Sequence, residues 1–304
     1  MSAKRKFLAA ACFFVLLFGL TGTGLAAQAS SASSADPSPG EVLSGRTSEE
    51  TPNPAFYLLG KSFTLRLEDG GSIIYHFSTK NTLDWQRTWA GRPDRANTLG
   101  TATDFIVTNP RPNIYFIDYL DDSAKPSKPV TIIMDLGQNI ATVLYGILPT
   151  QEELAITPEE RVKQNLPLSL VRIEVLHAGI SSLQNTKTVR HSETADLVGK
   201  RMRYDYRSGD VYEHQYKSET LFTWICLDGM EKGKTDSEAC RTYKIADQLY
   251  FFIWWEKTVP TLGALILDLK PESMHTVGKL AGFSDAEQTN VVSVVIDAKA
   301  SILE

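Results

Sequence analysis

Several ionisable and aromatic residues in the last third of the chain have types and spacing suited to chemistry. Tyr204 and Tyr206 alternate along one apolar run, Glu213 lies in the next, and Glu256 follows a third run that is rich in aromatic residues. Carboxyl groups beside aromatic rings lose hydration and acquire raised pKa values. Such groups can donate a proton or hold a polar ligand, so these positions are candidates for a functional site.

The segment 204–217, YDYRSGDVYEHQYK, is typical of a β-hairpin whose turn contains the Ser-Gly dipeptide at 208–209. A two-residue turn there places Tyr204 opposite Glu213, with Tyr206 on the same face. Alternatively, the tyrosines face outward and Glu213 pairs with a neighbouring arginine. The neighbouring arginines are Arg203 and Arg207.

Other catalytic chemistries have little support in the sequence. No pair of the five histidines shares metal-ligand spacing with a third ligand, so no metal site is expected. A nucleophile elbow and glycine-rich phosphate loops are also missing from the sequence, and no cofactor is expected. The formal net charge of -5 leaves no basic face for nucleic acid.

The first 29 residues have the composition of a secretory signal peptide. Three cations at 4–6 precede an apolar run over 7–25, and Ala27-Gln28-Ala29 supplies an A-x-A cleavage pattern. The alternative is an uncleaved membrane anchor, since the run is almost long enough to span a bilayer. Cleavage removes three cations and no anion, which leaves 28 Lys and Arg against 36 Asp and Glu, a net charge of -8. The sequence therefore predicts a periplasmic or secreted protein without a stable membrane span.

Cysteine use depends on that compartment. After cleavage Cys226 and Cys240 remain, and an oxidising space favours a disulfide between them. Such a bridge closes a loop of about 15 residues and contributes about 3 kcal/mol. Two free thiols are the alternative.

The remainder of the chain is a polar tether over 30–53 followed by two copies of one unit, over 54–182 and 183–304. Without a gap, Gly60 aligns with Gly199, Gly70 with Gly209 and Trp85 with Trp224, and later runs at 114 and 132 align with runs at 249 and 265. Short alternating runs with Asp-Gly, Ser-Gly and proline turns predict an all-β fold of two antiparallel barrels. A helix is expected mainly at Thr157, where a capping box precedes Pro158.

The two copies differ at the candidate site. Where the second copy has Tyr204, Tyr206, Glu213 and Glu256, the first has Leu65, Leu67, Ile74 and Asp121. A barrel folds with an apolar interior, so the fold alone does not require the polar set. This difference favours a function in the second barrel.

Long motifs in the second copy closely resemble the C-terminal domain of the molybdenum cofactor biosynthesis protein F (MoaF) family, and the first copy resembles its N-terminal domain. These motifs are Leu197-Val-Gly-Lys, Tyr212-Glu-His, Thr223-Trp-Ile-Cys-Leu-Asp-Gly-Met-Glu-Lys-Gly, Trp255-Glu-Lys, Val259-Pro and Leu267-Asp-Leu. The resemblance covers roughly residues 55–283 and implies two lipocalin-like (calycin) barrels. The family name implies an association with molybdenum cofactor synthesis, a cytoplasmic process, so an exported chain is not expected to take part directly.

A more distant resemblance is to the phenolic acid decarboxylases, which are single lipocalin-like barrels. Their Y-x-Y-x-x-G-x-x-Y-E motif matches 204–213, and their later motifs match 229–234 and 254–256. The resemblance implies that Tyr204 and Tyr206 clamp a carboxylate and that Glu256 is the general acid. Lys234 stands at an arginine position of that family and Lys257 at a proline position, which departs from the enzyme pattern.

We therefore expect an exported protein whose second barrel binds a small, aromatic or carboxylated molecule. A carbon-carbon lyase in the same cavity, an accessory protein of molybdenum cofactor synthesis and a purely structural domain are the alternatives. Candidate catalytic residues are Glu256, Tyr204, Tyr206 and Lys234, and candidate ligand-binding residues are Tyr212, Glu213, His214, Trp224 and Trp254. The sequence does not define an oligomeric state.

Overall fold

The computed structural model of the protein describes residues 57–89, 96–103, 105–181 and 189–303. The predicted signal peptide and tether lie outside the described residues, as do residues 182–188 at the boundary between the two copies. In the part of the chain that the structure describes, no helix is long and apolar enough to cross a membrane.

The first copy folds into one curled antiparallel sheet with strand order β4-β3-β2-β1-β9-β8-β7-β6-β5. Its strands are β1 Ser62–Leu67, β2 Gly71–Thr79, β3 Thr82–Trp89, β4 Thr98–Thr103, β5 Ile106–Arg111, β6 Ile114–Asp121, β7 Lys128–Asp135, β8 Ile140–Ile147 and β9 Arg172–Ile180. The sheet ends at β4 and β5, so it forms a half-barrel. Pro110 lies in β5 and has no N–H to donate, which suits an edge strand.

The second copy folds into a closed eight-stranded antiparallel barrel, because β14 pairs with both β13 and β15. Its strands, with a short edge strand β10, are β10 Ser192–Glu193, β11 Arg201–Tyr206, β12 Val211–Tyr216, β13 Leu221–Asp228, β14 Thr235–Ala246, β15 Leu249–Trp255, β16 Thr261–Asp268, β17 His275–Phe283 and β18 Val291–Leu303. The predicted all-β class with two tandem barrel-like units is confirmed, although the first unit stays open.

Equivalent glycines adopt equivalent conformations in the two copies. Gly60 and Gly199 have φ of 73° and 84°, and each donates its N–H at 2.8 Å to the carbonyl of an aromatic residue, Phe77 and Tyr216 respectively. L-residues with a side chain rarely adopt this left-handed conformation. The repeat read from the sequence is therefore also a repeat of backbone geometry.

The predicted capping box is present at the start of α2, Pro158–Lys163, where the Thr157 side chain accepts from the N–H of Glu160. A second capping box at Thr150 starts α1, Gln151–Leu154. The α1 capping box was missed, although Thr150-Gln-Glu-Glu has the same pattern.

The β11–β12 hairpin turn has three residues instead of the predicted two. Tyr206 donates its N–H to Asp210 at 2.9 Å, Gly209 donates to Tyr206 at 3.0 Å, and Gly209 has a φ of 93°. A glycine in the left-handed region is what a three-residue hairpin turn requires at its last position.

This extra turn residue changes the register by one. Tyr204 pairs with Tyr212, and Arg203 pairs with Glu213. The expectation that Tyr204 lies opposite Glu213 is therefore wrong. Because side chains alternate between faces, a shift of one residue moves Glu213 to the other side of the sheet.

The two sheets pack through equivalent strands. Phe116 on β6 lies edge-on to Phe251 on β15, its counterpart in the repeat, with ring centroids 6.5 Å apart. One continuous core contains Ile133 and Leu144 from the first copy with Leu262 and further residues from the second. These strands bury both faces, which explains their long apolar runs in the sequence.

An ion pair between Asp118 on β6 and Lys279 on β17 crosses this core. Both side chains are about 1% exposed, and Asp118 also accepts from Thr131 at 3.0 Å and from Ser293 at 2.8 Å. Burial raises the pKa of Asp118 and lowers the pKa of Lys279, and the charge of each partner opposes the shift of the other. The carboxylate thus has hydrogen-bond donors from both copies.

Candidate functional site

Alternate residues of the second barrel fill its interior with aromatic rings. Tyr216, Phe222 and Phe252 are at most 2% exposed and pack against one another at 5.1–6.3 Å between ring centroids. Inward-facing residues near the β11–β12 turn, such as Tyr206, are partly exposed. The barrel therefore has a packed end and an open end.

Tyr204 and Tyr206 both face inward, as predicted, with ring centroids 6.4 Å apart. Tyr204 is fully buried, and its hydroxyl lies 2.7 Å from the Tyr216 hydroxyl. Burial raises the pKa of both Tyr204 and Tyr206. The Tyr204 hydroxyl is thus already hydrogen-bonded toward the packed end, whereas the ring of Tyr206 forms part of the open end.

His214 faces inward among aromatic rings. Its ring centroid lies 4.6 Å from that of Tyr204 and 4.9 Å from that of Phe222, and its Nδ1 is buried without a hydrogen-bond partner among the described residues. Burial lowers the pKa of His214 to about 3, since a charged imidazolium loses its hydration there. The imidazole is therefore neutral at physiological pH.

Glu213 faces away from the barrel interior, on the face opposite to the one expected for a ligand-binding residue. Its carboxylate accepts from Arg201 Nε at 2.9 Å and Arg201 Nη2 at 3.1 Å, and these hydrogen bonds lower the pKa of Glu213. The partner is also neither of the two expected arginines. Arg203 binds Asp205 and Arg207 binds Asp297.

Tyr212 and Trp224 line the open end with ring centroids 5.9 Å apart. The Tyr212 hydroxyl donates to Glu231 at 3.1 Å, and Glu231 also binds Lys234 at 3.1 Å. The Lys234 side chain is 47% exposed, so it reaches the site only through Glu231. In the part of the chain that the structure describes, the buried Trp224 Nε1 has no hydrogen-bond partner.

Glu256 follows β15 and joins Trp254 at the open end. Trp254 Nε1 donates to its carboxyl at 3.3 Å. Burial, together with the nearby negative charge of Glu238, raises the pKa of Glu256 to about 8. Glu256 therefore carries a proton at neutral pH, as expected for a carboxyl beside aromatic rings.

The sequence reading missed Glu238, which lies on the same face of β14 as Cys240. Glu238 is 1% exposed, and burial raises its pKa to about 7. It accepts the backbone N–H of Lys257 at 3.1 Å, a bond that a proline at that position could not form. Strict alternation along β14 was the signal that could have identified Glu238.

The two cysteines of the second barrel are buried free thiols, so the expected disulfide is wrong. Cys226 donates its N–H to Lys234 and Cys240 donates to Thr220, which places the cysteines at opposite ends of the β13–β14 ladder. Six strand positions separate them by about 20 Å, whereas a disulfide needs Cα atoms within about 7 Å. Burial raises the pKa of both thiols, that of Cys240 to about 12.

The fold and this site define a tandem β-barrel protein whose second barrel has an acidic, aromatic open end. Residues 191–304 match the MoaF C-terminal domain and residues 43–150 match the MoaF N-terminal domain. Protein MoaF from Klebsiella aerogenes is 30% identical over 244 residues, which cover 80% of this chain and 86% of that protein. The chain belongs to the MoaF family.

A solved structure of a protein of unknown function from Nostoc punctiforme is 8% identical and covers 79% of this chain and 94% of its own, with a TM-score of 0.30.

Proposed function

We propose that this MoaF-family protein binds a small aromatic or carboxylated molecule at the open end of its second barrel. The observation that carries the proposal is a pair of buried side-chain nitrogens, His214 Nδ1 and Trp224 Nε1, without hydrogen-bond partners among the described residues. Buried polar atoms are nearly always hydrogen-bonded, so an unpaired one calls for a specific partner. A ligand that supplies oxygen atoms would pair with them.

The chemistry of the wall supports this ligand class. The indole N–H of Trp224 is a donor, and Glu256, with a pKa of about 8, adds a protonated carboxyl at neutral pH. The rings of Tyr206, Tyr212 and Trp254 supply flat apolar surfaces. Donors and flat rings together favour a planar molecule that carries a carboxylate.

A lyase that uses Glu256 as general acid is the second candidate, and the raised pKa of Glu256 favours it. Two contacts weigh against it. The Tyr204 hydroxyl is bonded to Tyr216, and Lys234 is bonded to Glu231, so neither is placed to hold a substrate carboxylate. Binding without turnover is therefore the primary proposal. Participation in molybdenum cofactor synthesis is implied by the family name only.

Native mass spectrometry of gently purified protein is expected to show a retained small molecule. The variant Trp224→Phe keeps an aromatic ring and removes the indole N–H. It is expected to retain about tenfold less ligand, because leaving the ligand's acceptor oxygen unpaired in a buried site costs about 1–3 kcal/mol. Trp255→Phe is the matched control, since Trp255 lies on the opposite face of β15 and packs in the core between the sheets.

Equal retention by the Trp224→Phe and Trp255→Phe variants would contradict the proposed site. A parent protein that retains nothing and also fails to bind added cinnamate would contradict ligand binding itself.

We also propose that the protein is exported and that its mature form begins near Ser30, on the basis of the cleavage pattern at 27–29. N-terminal sequencing of protein from a cell-envelope or culture fraction is expected to start there. Finding Met1 or Ser2 on most molecules would show that the signal peptide is not removed.

A further inference from the structure

The first copy contains a cavity that its sequence did not suggest. Its volume is about 130 Å³, and it lies where β3, β6 and β8 end. The lining includes Trp85, Arg87, Trp89, Tyr119, Asp121 and Tyr145. An apolar cavity of about 150 Å³ holds benzene, so a volume of about 130 Å³ is close to the size of a single small ring.

Arg87 is the distinctive group in this cavity. Its guanidinium lies over the ring of Trp89, 4.2 Å from the centroid, and 4.9 Å from the centroid of Tyr145. Its Nε and Nη2 are buried and have no hydrogen-bond partner among the described residues. Among the described carboxylates the nearest is that of Glu174, which is 4.0 Å from Nη2 and therefore beyond hydrogen-bond distance.

These two nitrogens form the edge of a guanidinium that binds a carboxylate with two parallel hydrogen bonds. Two other arginines of the protein use this edge. Arg201 binds Glu213 through Nε and Nη2 at 2.9 and 3.1 Å, and Arg111 binds Asp268 through the same atoms at 3.3 and 2.7 Å. In Arg87 the same edge lies beside the flanking rings, but none of the described residues supplies an acceptor for it.

The remaining wall is aromatic, polar and charged, and it includes Lys128 and Asp121. Burial raises the pKa of Tyr119 and raises that of Tyr145 to about 12, so these two phenols of the wall are neutral donors at physiological pH. Arg87 has Cys226 as its counterpart in the second copy. The cationic edge is thus specific to the first copy, and it is independent of the site proposed in the second barrel.

We propose that the first copy holds a separate ligand site, in which the Nε and Nη2 edge of Arg87 binds the carboxylate of a small aromatic acid with a single ring. The ring of that acid lies against the aromatic wall of the cavity. A guanidinium edge buried without an acceptor is costly, and a carboxylate ligand supplies the two acceptor oxygens.

Benzoate is the probe, with binding measured by isothermal titration calorimetry on the full chain carrying Trp224→Phe as the parent, because this change weakens the site proposed in the second barrel. Arg87→Met is expected to weaken benzoate binding by about tenfold to a hundredfold, because hydrogen bonds to charged groups are lost. The benzoate affinity of Arg87→Lys is expected to lie between those of the parent and Arg87→Met. An ammonium group keeps the positive charge but cannot form two parallel hydrogen bonds with a carboxylate. Arg201→Met, which removes a guanidinium whose edge is already filled by Glu213, is the matched control and is expected to bind like the parent.

Glu174→Gln provides a second test with the opposite sign. Removing this carboxylate, which competes with the ligand for Arg87, is expected to strengthen benzoate binding severalfold. This variant carries the test if Arg87→Met does not fold. Benzamide, which has the same shape without the charge, and inorganic phosphate, which lacks the ring, are both expected to bind weakly.

Four outcomes would overturn the proposal. They are no binding of benzoate to the parent, equal affinity in a folded Arg87→Met variant, no gain of affinity in Glu174→Gln, and binding of benzamide or phosphate as tight as that of benzoate.

Discussion

Replacing Asp118 by alanine is expected to lower the free energy of unfolding by about 3–5 kcal/mol, because it leaves a charged Lys279 buried between the two sheets. Lys279 is fully buried, and the carboxylate of Asp118 is its partner in the described ion pairs. The loss is measured by urea denaturation at pH 7, with the slope of the transition compared between variants.

Asp205→Ala is the matched control. Asp205 and Arg203 form an ion pair with a 2.6 Å contact, but their side chains are 39% and 45% exposed. Exposed ion pairs contribute about 0–1 kcal/mol to stability, so the free energy of unfolding of Asp205→Ala is expected to stay close to that of the parent. A loss in Asp118→Ala no larger than in Asp205→Ala would show that Lys279 escapes to solvent.

The reverse single change, Lys279→Met, is expected to cost less than Asp118→Ala. Burial raises the pKa of Asp118, so without Lys279 this carboxyl can take up a proton and keep its contacts with Thr131 and Ser293. The difference in unfolding free energy between the parent and Lys279→Met is expected to shrink as the pH falls below neutrality, because protonation of Asp118 removes the buried charge. A deficit that is the same at pH 5 and pH 8 would contradict this account.

Replacing Glu256 by glutamine is expected to remove most of the pH dependence of ligand affinity in the second barrel. In the parent, Glu256 has a pKa of about 8, so it is protonated and donates at pH 6 and is ionised and repels an anion at pH 9. Affinity for cinnamate is therefore expected to fall by about tenfold or more over that interval, since close like charges interact by several kcal/mol. The glutamine side chain does not ionise in this range, so the affinity of Glu256→Gln for cinnamate is expected to be nearly constant between pH 6 and pH 9.

Glu213→Gln is the control, because Glu213 lies on the outer face and is expected to leave the pH profile unchanged. The same titrations test catalysis when they are run with hydroxycinnamic acids and followed by ultraviolet absorbance. We expect binding without loss of substrate. Steady loss that falls by about two to four powers of ten in Glu256→Gln would establish the lyase instead. A parent affinity that does not change between pH 6 and pH 9 would show that Glu256 does not face the ligand.

Much of the fold could be predicted from local sequence patterns. The alternation of β-branched and aromatic residues with turn dipeptides predicted the all-β class, and the spacing of Gly60 and Gly199 from later tryptophans predicted the repeat. These features can be recognised locally because a turn residue with a left-handed backbone favours glycine, whatever the tertiary structure around the turn. The MoaF family assignment rests on the same local motifs and is confirmed.

The candidate site was predicted in part. The inward positions of Tyr204, Tyr206 and Trp254 follow from alternation and are present in the structure. His214 also faces inward, although the expected register placed it on the face opposite to Tyr204. Glu213 was expected on the wrong face of the sheet because the turn has three residues instead of two. Side chains alternate between the two faces of a strand, so one extra turn residue moves each following side chain to the opposite face. Whether such a turn has two or three residues depends on hydrogen bonds that the residue types do not specify.

The sequence alone therefore determined the strands, the repeat, the family and the residue types available for chemistry. The tertiary structure decided which of those residues meet. The distance between Cys226 and Cys240 follows from the ladder register, the raised pKa of Glu238 follows from burial, and the unpaired edge of Arg87 follows from the rings around it. Desolvation and partner choice depend on groups that are far apart in the chain, as in the hydrogen bond between Asp118 and Ser293, and only packing brings such groups together.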